Sequence, residues 1–185
     1  KQSETFKNAK ERLIKFLWNR IENIYENEGY KFDEVKAVIL PAQKNGFNGI
    51  GDIKIKLSVL QQARKQASFE QIITIFKRAN NIIQQAKKQN LQISENINQQ
   101  LLKEEAEQKL YEQYILTDKQ LKELLQNKNY LQALNTLNDI KPCLDNFFEK
   151  VMVMCDDNSL KLNRISLISG IIKEFDSFVD LSVLQ

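Results

Sequence analysis

Residues 68–88 read SFEQIITIFKRANNIIQQAKK. At about 100° per residue, Ile72, Phe76, Ala79, Ile83 and Ala86 fall on one side of a helix. Lys77, Asn81, Gln84 and Lys88 fall on the opposite side, with Arg78 between the faces beside Gln71 and Gln85. No alternating pattern long enough for a strand competes, so the segment is an amphipathic helix. Ser68 and Gln71 have the spacing of a capping box at its start.

The same period runs outward in both directions. Phe6, Leu13, Phe16, Leu17, Ile21, Ile24 and Tyr25 share one face of a long first helix that Gly29 can close in a left-handed cap. Asp33 can cap a short helix carrying Val35, Val38 and Ile39, which should stop before Pro41. Residues 41–51 hold Pro41 and three of the five glycines and read as a loop. A third helix is expected from Asp52 to Gln66. After a loop at 90–98, further helices are expected at 98–116, 117–127, 129–140 and 143–154. Thr117 with Gln120 offers another capping box there, and Pro142 a restart. A last helix should begin near Ser159. The expectation is an all-α helical bundle of eight or nine helices, a single domain over 1–185 with possible subdivision near 41–51 or 89–98.

Composition excludes more than it assigns. The chain has 185 residues, 42% hydrophobic and 28% charged, ordinary for a globular protein. It has no apolar run of membrane-spanning length, so no membrane partner is expected. It opens at Lys1 without a signal-like pattern and is read as a piece of a longer chain. Histidine is absent, which removes the commonest general base and most catalytic zinc sites. Cys143 and Cys155 fit neither a disulfide framework nor a common zinc module and read as free thiols in a reducing cytoplasm. No catalytic or metal site is expected within the chain.

Charge is uneven. Residues 1–88 carry a net +8, residues 89–142 −2 and residues 143–185 −3. The positive half suits a phosphate backbone, because each neutralised phosphate releases a counterion. A solvated basic face is the competing reading. Asn and Gln occur 18 times each, scattered through helical patterns, so single amides carry little functional weight.

Residues 147–185 read FFEKVMVMCDDNSLKLNRISLISGIIKEFDSFVDLSVLQ. Phe147, Phe148, Glu149, Lys150, Val151, Met152, Val153 and Met154, then Asp157, Leu160, Asn163, Arg164, Asp180, Leu181, Ser182, Leu184 and Gln185 resemble the C-terminal pattern of the β subunit of bacterial glycyl-tRNA synthetases. The 32–38 segment, Lys77-Arg78 with Asn81-Ile82, and Tyr130 with Ala133-Leu134 resemble that family's sequence too. The resemblance implies a DALR-type anticodon-binding fold whose ligand is the anticodon arm of tRNA-Gly, in a cytoplasmic enzyme. Aminoacylation, with ATP and Mg²⁺, would belong to the separate α subunit; no DNA partner is implied. The candidate RNA contacts in the positive half are Lys54, Lys56, Arg64, Lys65, Lys77, Arg78, Asn81 and Lys88.

By spacing, the Phe-Phe-Val-Met helix reads as core, with Phe147, Phe148, Val151, Met152 and Cys155 on a broad apolar arc. Arg164 starts from an apolar face and needs a carboxylate, for which Asp145, Glu149, Asp156 and Asp157 are the candidates. Two alternatives stand beside anticodon binding: a helical scaffold that holds synthetase subunits together, and the corresponding domain of an arginyl-type enzyme.

Overall fold

A computed structural model describes residues 2–44 and 50–185, with side chains from Lys7 onward. Among the described residues there is no strand, and seven α-helices replace the expected eight or nine. They are α1 (Gln2–Asn27), α2 (Phe32–Lys44), α3 (Ile53–Ala63), α4 (Ala67–Lys88), α5 (Glu105–Gln126), α6 (Tyr130–Lys150) and α7 (Asn158–Phe175), with short 3-10 turns at Ile50–Asp52, Gln99–Leu101 and Leu181–Val183. The count falls because two expected breaks are not breaks. Thr117 lies buried inside α5 and starts nothing, and α6 runs through Pro142. Ser68 is likewise inside the first turn of α4 rather than its cap, and Glu34, not Asp33, accepts the Lys31 N–H that opens α2 at 3.0 Å.

Helix ends follow local chemistry. Gly29 sits at φ 97°, with its N–H on the Glu26 carbonyl and the Tyr30 N–H on the Tyr25 carbonyl, the paired bonds of a Schellman motif. Asn90 and Lys128, both at φ 57°, close α4 and α5 in the same way. Asp157 caps α7, accepting the Ser159 and Leu160 N–H groups at 2.8 and 3.0 Å.

Pro41 corrects the expected stop of α2 and supplies its reason. The helix continues to Lys44 with Pro41 buried inside it. A proline has no N–H for the carbonyl four residues earlier. That carbonyl, on Ala37, accepts the Asp180 N–H at 2.8 Å instead. The missing helical bond thus pins the C-terminal segment to α2. Of the loop expected at 41–51, residues 45–49 lie outside the described residues.

One apolar core runs through α2 to α7 and the C-terminal turn. Phe76, Phe175, Phe178 and Tyr130 form a ladder of rings with centroids 5.5, 6.4 and 6.4 Å apart, tying α4 to α7, the tail and α6. Burying each such ring is worth roughly 2–3 kcal/mol. Tyr114 of α5 approaches α7 at Gly170, where a Cβ would stand 3.0 Å from the phenol oxygen, which accounts for a glycine inside that helix. Asn163 bonds the backbone of Asn98 twice, at 2.8 and 3.0 Å, fastening the 89–98 loop to α7.

The first helix departs from expectation. Ile14, Trp18, Ile21 and Tyr25 face the core, while Leu13, Phe16, Leu17 and Ile24 are exposed. The side chain of Phe6 lies outside the described residues.

Candidate nucleic-acid interface

The ends of α2 and α7, the outer flank of α4 and the C-terminal turn surround a cleft of about 560 Å³. Asn80, Gln84 and Lys87 stand at i, i+4 and i+7 on α4 and supply one wall. Lys44 ends α2, and Lys173 lies in the last turn of α7. All three lysines are exposed; Lys173 is paired with Glu95 at 2.5 Å, while the Lys44 and Lys87 charges can meet an anion from solvent. Asp176, just beyond α7, lines the same cleft. Its Oδ1 has no solvent exposure, and no donor of the described residues reaches it. Burial, then the neighbouring Asp180, pushes the Asp176 carboxyl up to about 7, against the opposing pull of Lys44 and Lys87.

The eight cations and amides expected from sequence are not gathered there. Lys54 is exposed and pairs with Glu28 at 2.8 Å. Lys56 lies over the Tyr130 ring at 5.0 Å, and burial lowers its ammonium below the ordinary lysine value. Tyr130 donates to Asp52 at 2.9 Å, and burial with that bond pushes its phenol up to about 12. Arg64 is spent structurally: it bonds Asp33 at 2.8 Å and the Gln185 backbone oxygen at 2.6 Å, and only 12% of its side chain meets solvent. It clamps α3 to α2 and the tail, which leaves it poorly placed for RNA. Lys65, Asn81 and Lys88 are exposed, and Lys77 is half-buried.

Arg78 is exposed yet anchored. Its guanidinium lies 4.6 Å from the Phe148 ring centroid and donates to the Phe148 carbonyl at 3.2 Å. The Phe-Phe-Val-Met segment around it needs correcting. The helix ends at Lys150, and Val151 to Met154 run on beyond it without helical structure. Phe147, Phe148 and Val151 are buried as expected, and Val153 is buried too, but Cys155 is only half-buried and Met152 is 73% exposed. Arg78 and Met152 line a second, open groove of about 470 Å³.

Arg164 is a buried ion-paired arginine, with a partner the sequence reading did not choose. Its Nε donates to Glu107 at 2.5 Å and its Nη1 to the Met152 carbonyl at 3.0 Å. Glu107, fully buried, also accepts the Glu104 N–H at 2.7 Å. One carboxylate therefore caps α5 and holds α7. None of the four acidic residues expected near Arg164 in sequence makes this pair.

Residues 72–181 of the chain match the DALR anticodon binding domain family. The chain belongs to that family. It is similar, at 33% identity over 94% of its length, to the glycine–tRNA ligase beta subunit of Sulfurihydrogenibium sp.. It is also similar to the beta subunits of Clostridioides difficile, at 30% over 93%, and Shewanella woodyi, at 33% over 96%. The chain spans about a quarter of the length of these curated relatives.

The DALR match begins in α4 and ends in the C-terminal turn. It takes in five of the six cleft residues named above and leaves out Lys44, as well as Lys54, Lys56, Arg64 and Lys65. Sequence reasoning missed Lys44, Lys87, Lys173 and Asp176. The i, i+4, i+7 row of Asn80, Gln84 and Lys87 was visible, as was an aspartate set between Phe175 and Phe178. The closure of the cleft by α2 had no local signal. Among the described residues no helix is long and apolar enough to cross a membrane, and no group of three or more His, Cys, Asp or Glu is placed to hold a metal ion.

Proposed function

We propose that this DALR domain binds the anticodon arm of tRNA-Gly within a glycine–tRNA ligase β subunit. In this reading it positions the tRNA in the cytoplasm while an α subunit carries out aminoacylation with ATP and Mg²⁺. The observation that carries it is α4. This helix opens the family match and turns Arg78, Asn81, Gln84 and Lys88 outward beside a cleft rimmed by three lysines. Cations at such spacing suit phosphate oxygens, and amides suit the edges of unstacked bases. Lys54, Lys65 and Lys77 extend the positive surface. This reading assigns the domain no cofactor of its own.

Titration of the 185-residue chain with tRNA-Gly transcripts and anticodon-altered versions, at fixed low salt, tests the proposal. Tighter binding to the glycine anticodon is expected; equal binding to all transcripts removes anticodon reading. A second reading, a helical scaffold holding the synthetase subunits together, rests on α1. Its exposed Leu13, Phe16 and Leu17 form an apolar ridge that RNA binding does not explain. Replacing Phe16 by Glu should leave tRNA affinity unchanged and weaken assembly with the α subunit; weakened tRNA affinity with intact assembly would remove this second role.

A further inference from the structure

The cleft between α4 and the end of α7 combines features that a structural role does not explain. Asp176 is held where one carboxylate oxygen is sealed from water and has no donor. Such a group lowers stability at neutral pH, and an uncompensated carboxylate in a cleft marks a candidate site. The groups facing it are Asp180 from the tail, Lys44 from α2 and Lys87 from α4, with Lys173 on α7 lining the same cleft. None of the three lysines forms a hydrogen bond to Asp176 Oδ1. Asn80 and Gln84 are joined by one bond, Gln84 Nε2 to Asn80 Oδ1 at 3.4 Å, which leaves the Asn80 amide hydrogens and the Gln84 oxygen to other partners.

The volume, about 560 Å³, is in the range of a small-ligand site. Its chemistry is cationic at the rim, amide on one wall, and acceptor-only at the carboxylate. A nucleotide matches all three: phosphate for the lysines, ring acceptors for the amide hydrogens, and a base donor for the carboxylate. Cytosine, adenine and guanine carry an exocyclic amino group and uracil does not.

We propose that this cleft takes one unstacked nucleotide of the bound RNA, reading the exocyclic amino group of its base at the cleft-facing oxygen of Asp176, the one not sealed from water, and holding its flanking phosphates with Lys44 and Lys87. The inference rests on the anticodon-binding reading and names the place where that reading would be done.

The test is binding of the 185-residue chain and its Asp176→Asn variant to tRNA-Gly transcripts in which each anticodon-loop base in turn is replaced by uridine, at pH 8. At one position the wild-type chain should lose roughly tenfold in affinity on replacement, the worth of one charge-assisted hydrogen bond. The variant should lose less than about twofold at that position. Lys87→Ala should weaken every transcript and lower the salt dependence by about one phosphate contact.

A variant that keeps the full discrimination, or that weakens all transcripts equally, overturns the base-reading site while anticodon binding stands. An unchanged salt slope in Lys87→Ala overturns the phosphate role. If the wild-type chain itself fails to distinguish any transcript, both the site and the wider reading fall. Folding is checked by melting: Asp176→Asn should melt no lower than the wild type.

Discussion

Two charges near opposite ends of α7 are treated in opposite ways. Arg164, in its first half, is buried with a fully buried carboxylate at 2.5 Å and a backbone carbonyl at 3.0 Å. Asp176, just past its end, lines an open cleft with no donor on Oδ1. The first is closed on itself and joins α5, α7 and the segment after α6. The second is left incomplete where lysines and amides converge. A satisfied buried charge specifies how helices pack, whereas an unsatisfied one marks where something else can bind.

Removing the satisfied charge should have the largest effect. Arg164→Ala leaves Glu107 buried without its cation and frees the Met152 carbonyl, and should cost about 3–5 kcal/mol in denaturant unfolding. Replacing both partners by apolar residues of similar volume should recover much of that loss. A single variant that unfolds like the wild type but binds tRNA poorly would reverse the contrast and make Arg164 the ligand-facing charge.

Removing the unsatisfied charge should have the opposite sign. The Asp176 carboxyl is raised to about 7 in the folded chain, from an ordinary value of 3.8. A raised pKa means the folded state holds the proton more tightly than the unfolded state. Its contribution is therefore complete below the unfolded value and is lost as pH rises through about 7. Asp176→Asn should gain about 1–2 kcal/mol at pH 8 and nothing near pH 4, less than full linkage because part of the group meets water. Asp33 opposes this at the acid end. Burial alone would raise its carboxyl, but the Gln185 N–H and Arg64 hold it below the ordinary range, so its contribution is lost as pH falls. A wild type and variant with parallel pH profiles from 4 to 8 would show Asp176 to be fully compensated and end the comparison.

The contrast also measures what the sequence could show. Periodicity gave the helices and the buried face of α4, because a repeat near 3.6 is local. It gave Arg164 as a buried ion-paired residue from its apolar neighbours, yet missed Glu107, 57 residues away, because pairing across helices depends on how they dock. Helix count was overestimated at Thr117 and Pro142 because a local stop signal yields to tertiary packing. Met152 was read into an apolar arc that ends two residues before it, at Lys150. The cleft was least legible, since Lys44, Lys87 and Asp176 come from three separate segments. Family likeness supplied what spacing could not, the kind of ligand to look for.

The smallest global effect should come from the bond that shapes the cleft. Pro41 lines it and leaves the Ala37 carbonyl free to hold Asp180. In Pro41→Ala the new N–H competes for that carbonyl, while lost backbone restriction in the unfolded chain costs about 0.4–1 kcal/mol. These oppose, so unfolding should shift by no more than about 1 kcal/mol. The local consequence is selective: amide exchange at Asp180 should accelerate several-fold while Arg164 and its neighbours on α7 exchange as before. Asp180 bears on Asp176 directly, through its charge, so the variant should also alter the pH at which Asp176 titrates. Unchanged exchange at Asp180 would mean that the tail is held by Arg64, the Gln185 N–H on Asp33 and the aromatic ladder rather than by the Ala37 carbonyl. The cleft would then be as rigidly built as the junction around Arg164, and the difference between them would lie in charge only.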